Sequence, residues 1–136
     1  MNQADFSNII KTFIIGSYPE FAGKIVYHDD HSFDCELRSE SDLFSMWIAT
    51  YNCEITIGLK DPTGKSDIHT HIGFSQYDSE DFKEAFNSLK NFVEDIKTEK
   101  LILIKKNNGN YDWLDVDDFR GSMHSKINWK KNYKVT

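Results

Sequence analysis

Two histidines one residue apart, His69 and His71, stand in the run Asp67-Ile68-His69-Thr70-His71. On an extended strand, residues two apart point the same way, so both imidazoles can reach one metal ion or one partner. A hairpin with a four-residue loop at Asp61–Gly64 brings Glu54 opposite His71. A carboxylate beside an imidazole can serve as a general base or as a further zinc ligand. The metal reading is therefore a small zinc-dependent enzyme or metal-binding protein centred on His69, His71 and Glu54. The plainer reading is a pair of solvated or partner-facing histidines with an ordinary cross-strand pair, worth a few tenths of a kcal/mol. No serine or cysteine with a nucleophile motif stands beside them, and the seven glycines are too scattered for a phosphate loop. That balance favours a non-catalytic protein with no cofactor and no catalytic residue, with zinc as the alternative.

The run Asp-Ile-His-Thr-His also resembles the metal-binding strand of the amidohydrolase and PHP-type phosphoesterase families. Those families use a large barrel with the motif on its first strand, and this chain is too short for one. The other histidines, His28, His31 and His124, form no second cluster. A second group, Asp112, Asp115, Asp117 and Asp118, lacks the glycine and twelve-residue spacing of a calcium loop. It is either a solvated loop or a contact patch for a basic partner. Near the C-terminus Lys126, Lys130, Lys131 and Lys134 interleave with Trp129 and Tyr133. The acidic whole argues against nucleic acid there and for a surface tail of snorkelling lysines.

Phe6, Ile9, Ile10 and Phe13 have helical spacing, and Gly16 and Pro19 follow, which predicts a helix from about Gln3 to Ile15. A short strand from Lys24 to His28 and a turn at Asp29-Asp30-His31 come next. Phe33, Cys35 and Leu37 then alternate with Asp34, Glu36 and Arg38, as in a half-buried strand. Trp47, Ala49, Tyr51, Cys53, Ile55, Ile57 and Leu59 share one parity; alternation alone leaves open whether 43–59 is one strand or two. Ile68, Ile72 and Phe74 predict the following strand. Asp78 or Ser79 caps a helix over about 78–97, with Glu80 and Asp81 at its positive end and a stripe from Phe82 to Ile96. Leu101 to Ile104 is a fully apolar, central strand, and Tyr111 to Leu114 a last one.

Asp61-Pro62-Thr63-Gly64 is a turn, and its chemistry constrains the hairpin. A two-residue loop would demand positive φ at proline, which the ring forbids. A four-residue loop places Pro62 at the second position of a type I turn and pairs Lys60 with Lys65. Ile57 then faces Ile68, Ile55 faces Thr70, Thr56 faces His69 and Glu54 faces His71. The apolar residues gather on one side, leaving Asp34, Glu36, Glu54, Thr56, His69 and His71 on the other. The expected fold is α+β: one domain, 1–136, with an antiparallel sheet of about five to six strands and both helices on one face.

Composition narrows the function classes. The chain has 136 residues, 22 acidic against 16 basic, and a net charge of −6. Only Arg38 and Arg120 supply the forked donor that phosphate favours. An acidic balance disfavours nucleic acid and suits a basic partner. No apolar run approaches a membrane span and none looks like a signal peptide, so the expected location is cytoplasmic, with Cys35 and Cys53 as reduced thiols. In size, charge and sheet-then-helix order the chain resembles the bacterial immunity proteins of polymorphic and contact-dependent toxin systems. The resemblance implies a protein partner, a toxin domain with a basic substrate site, and carries no site residue with it. The partner-facing candidates are Asp34, Glu36, Glu54, His69, His71, Asp112, Asp115, Asp117 and Asp118. A free sheet edge would also support a homodimer by strand pairing.

Overall fold

The computed structural model describes residues 1–72 and 79–131, with side chains in the second helix described from Phe82 onward. The expected strand residues Phe74 and Ser75, the capping group 78–81 and the tail residues Tyr133 and Lys134 lie outside what is described. The order is α1 (Gln3–Ser17), β1 (Ile25–Tyr27), β2 (Phe33–Arg38), β3 (Ser45–Ala49), β4 (Ile55–Lys60), β5 (Ile68–Ile72), α2 (Ser79–Lys97), β6 (Leu101–Lys106), β7 (Tyr111–Asp115) and β8 (His124–Ile127). The fold is α+β. Strands β1 to β5 form one antiparallel meander in chain order, and β7-β6-β8 form a second, three-stranded antiparallel sheet.

The expected single sheet is thus two. Strand β6 is central, with Ile102, Leu103 and Ile104 all buried, but β7 takes one of its edges and β8 the other. No edge of β6 is left for β5. Strand β8 escaped the sequence reading because His124-Ser125-Lys126-Ile127 carries only one aliphatic residue.

The inner face of the five-stranded sheet buries Phe33, Cys35, Met46, Ile48, Ile55, Ile57 and Leu59 against Phe6, Ile10 and Ile14 of α1 and Ala85, Leu89, Val93 and Ile96 of α2. The two helices meet through aromatic rings: Phe13 stacks on Phe86 with centroids 4.2 Å apart, and Phe6 lies 6.4 Å from Phe82. Gly16 does not stop α1. The helix continues to Ser17, and Pro19, lacking an amide donor, ends it and opens a 3-10 turn over Pro19–Lys24. The asparagine side chain of Asn2 caps the other end by accepting from the Asp5 amide at 2.8 Å.

The stretch 43–59 is two strands. A 3-10 turn at Tyr51–Cys53 carries positive φ at Asn52 and Cys53 and reverses the chain. The parity also breaks there, so Met46 and Ile48 face the core while Trp47 lies on the outer face. Gln3 holds this turn by donating to the Thr50 carbonyl at 2.7 Å and accepting from the Cys53 amide at 2.9 Å.

Where the sequence predicts a surface tail of snorkelling lysines, residues 126–130 are anchored. Trp129 is buried against Phe44, with ring centroids 5.5 Å apart. Glu99 accepts from the Lys126 ammonium at 2.6 Å and the Lys130 amide at 2.9 Å. Glu99 sits just past the end of α2 with φ 62°, a position where glycine is usual. Burial pushes its carboxyl up, but the bonds and charges of Lys126 and Lys130 prevail and hold it below the ordinary glutamate value.

Candidate functional site: the outer face of the five-stranded sheet

Register partners run across the outer face in two rows. Asp34, Ala49, Thr56 and His71 form one, and Glu36, Trp47, Gly58 and His69 the next. The expected hairpin register is therefore corrected by two residues: Ile57 pairs with Thr70, Ile55 with Ile72, Thr56 with His71 and Gly58 with His69. The turn itself is where the sequence places it, with the Gly64 amide donating to the Asp61 carbonyl at 2.9 Å. The buried Asp61 carboxylate then captures the Thr63 amide at 2.7 Å and the Lys65 amide at 3.3 Å. The Asp61 amide donates to the Lys65 carbonyl at 2.8 Å, so Asp61 and not Lys60 closes the loop, and Ser66 and Asp67 pass by before β5 begins. An even shift preserves parity, which is why the apolar residues still share one face.

His71 consequently faces Thr56, with Nδ1 2.8 Å from the hydroxyl, and Glu54 reaches the same nitrogen diagonally at 3.5 Å. His69 donates from Nδ1 to the Asp67 carbonyl at 3.0 Å. A carbonyl only accepts, so this bond puts a proton on Nδ1. The two rings stand nearly perpendicular with centroids 5.3 Å apart, and the His69 ring lies 6.0 Å from that of Trp47.

Trp47 can lie across the sheet only because Gly58 stands opposite. A Cβ at position 58 would come 2.4 Å from the Ile68 carbonyl oxygen, 2.7 Å from Trp47 Cζ2 and 2.8 Å from His69 Cβ. The indole Nε1 is buried and has no hydrogen-bond partner among the described residues. Beside it, Asp34, Cys35, Glu36, Trp47, Lys60 and Ser66 line a concavity of about 350 Å³. Asp34 pairs with His28 Nε2 at 2.9 Å and Glu36 with Lys60 at 3.4 Å, so Asp34, Glu36 and Glu54 each have a base of this chain at hand. Such exposed pairs contribute little and are readily exchanged for a partner's cation. The Cys35 thiol under this face is pushed up to about 12 by burial, with Asp34 adding to the effect, which leaves it un-ionised and inert.

The structure brings Asp34, Glu36, Glu54, His69 and His71 together on this face. It places the four aspartates elsewhere, on and after β7. Asp112 pairs with Lys106 at 3.2 Å, Asp115 caps the turn Val116–Asp118 through the Asp117 amide at 2.9 Å, and Asp117 and Asp118 are exposed. Trp47, Gly58 and Lys60 are the residues that sequence reasoning missed. A glycine in the middle of a strand pattern is the signal that marks such a close approach. Among the described residues, no group of three or more His, Cys, Asp and Glu is arranged to hold a metal ion, and no helix is long and apolar enough to cross a membrane. Glu54 meets His71 at the nitrogen that Thr56 already occupies, so it orients that ring and does not stand beside a shared ion.

No protein-family model matches the chain, and neither a curated protein nor a solved structure matches it.

Proposed function

We propose that this protein is a non-catalytic binding module that receives a basic protein partner on the outer face of its five-stranded sheet, acting in the cytoplasm as an immunity protein against a toxin domain. The observation that carries the reading is the concavity walled by Asp34 and Glu36 over Trp47. A tryptophan flanked by carboxylates suits a partner's arginine or lysine, which stacks on the ring and exchanges the weak internal ion pairs for its own. The net charge of −6 adds long-range attraction to a basic substrate site.

The experiment is a calorimetric titration against the product of the adjacent gene. Glu36→Lys and Glu54→Lys should each weaken binding at least tenfold, with the loss concentrated in the association rate and largest at low salt. Asp115→Lys, on the second sheet, should change affinity less than twofold. Equal affinity for all three variants and the native chain would remove this face from the interface. A product that does not bind would sink the toxin-neutralising assignment.

A further inference from the structure

We infer that His69 and His71 form an open, two-nitrogen site for a divalent transition-metal ion, of the class that imidazole favours: Zn²⁺, Ni²⁺ or Cu²⁺. This goes beyond partner binding and stands independently of it. Three observations converge. The residues are two apart on β5, the edge strand of the five-stranded sheet, and both are exposed on its outer side. Their ring centroids are 5.3 Å apart. Two imidazoles sharing one tetrahedral ion, with metal–nitrogen bonds of about 2.0–2.1 Å, place their centroids about 5 Å apart. Finally, each ring is held through Nδ1, by the Asp67 carbonyl at 3.0 Å and by the Thr56 hydroxyl at 2.8 Å, with Glu54 at 3.5 Å. A metal-binding histidine is oriented in just this way, its second nitrogen hydrogen-bonded to a carbonyl, hydroxyl or carboxylate so that Nε2 can serve the ion. With two protein ligands, the ion's remaining positions belong to water.

Trp47 supplies the reporter, since its ring lies 6.0 Å from that of His69 and a paramagnetic ion beside that histidine quenches its emission. Untagged protein is titrated with Ni²⁺ and with Zn²⁺ at about pH 7.5, by calorimetry and by tryptophan emission. The expected result is one ion per chain, with quenching by Ni²⁺ that Trp47→Phe abolishes. His69→Ala and His71→Ala should each weaken binding at least tenfold, and Thr56→Val, which leaves both ligands but frees the His71 ring, about tenfold. Circular dichroism of each variant separates lost ligands from lost fold, and His69→Gln and His71→Gln repeat the test with side chains of similar size. If the double His69→Ala/His71→Ala variant binds either ion as tightly as the native chain, or if the native chain binds neither, the site does not exist. Glu36→Lys, which impairs the proposed partner contact, should leave metal affinity within twofold, so the two readings fail separately.

Discussion

The two faces of the five-stranded sheet are made from alternate residues of the same strands, yet they obey different rules. On the inner face the two central strands, β3 and β4, supply apolar fillers: Met46, Ile48, Ile55, Ile57 and Leu59 are all completely buried. On the outer face the carboxylates and His71 are paired within the chain, while the Trp47 indole N–H has no hydrogen-bond partner among the described residues. One face is optimised for density. The other keeps weak, exchangeable pairs around an unsatisfied donor. Stability should therefore reside on the first and recognition on the second.

The largest effect expected is on the inner face. Ile57→Ala should lower unfolding free energy by about 2–5 kcal/mol in chemical denaturation, because the tightly packed site cannot collapse around the lost atoms. Metal affinity measured on the folded fraction should stay the same. Gly58→Ala tests the boundary between the faces. Its methyl would sit 2.4 Å from the Ile68 carbonyl and 2.7 Å from Trp47, so a loss of about 1–3 kcal/mol and a shifted tryptophan emission are expected. A neutral result would mean that Trp47 is not clamped and that the outer face is loosely packed.

Glu99 differs from the outer-face carboxylates, since it anchors the chain and does not face a partner. Glu99→Gln should lose about 1–2 kcal/mol in the same denaturation series, from its charge-assisted bonds to Lys126 and the Lys130 amide. Its folded carboxyl is held below the ordinary glutamate value. Its contribution is therefore complete above that ordinary value and disappears as pH falls through and below it. The gap between native and Glu99→Gln stability should accordingly close on acidification. The smallest effects belong to the outer face. Trp47→Phe removes the unsatisfied donor and should alter stability by less than about 0.5 kcal/mol or raise it slightly. Glu36→Lys and Glu54→Lys should fall within the same margin. A large loss from any of these three would make the outer face a structural element and weaken its role in recognition.

Much of this architecture is legible in the chain because local patterns respond to forces acting over a few residues. The stripe of Ala85, Leu89, Val93 and Ile96, the alternation from Phe33 to Arg38 and the Asp61–Gly64 turn each follow from burial or φ restriction at single positions. The grouping of Asp34, Glu36, Glu54, His69 and His71 on one face was also legible, since it depends only on parity, and parity survived a register error of two residues. The pairing of His71 was not legible. It depends on whether the Asp61 carboxylate captures nearby amides, and that choice is worth little more than a hydrogen bond.

Local pattern alone was enough for the apolar stripe of α2, the alternation of β2 and the Asp61–Gly64 turn, because hydrophobic burial scales with each side chain's own area and φ restriction acts on single residues. The remaining choices were long-range and competitive. Strand β6 joined β7 and β8 in a separate sheet, Trp129 became a core plug against Phe44, and Trp47 settled on the outer face over Gly58. Each of these depends on which distant partner fills a given edge or gap first, and no local pattern encodes that competition.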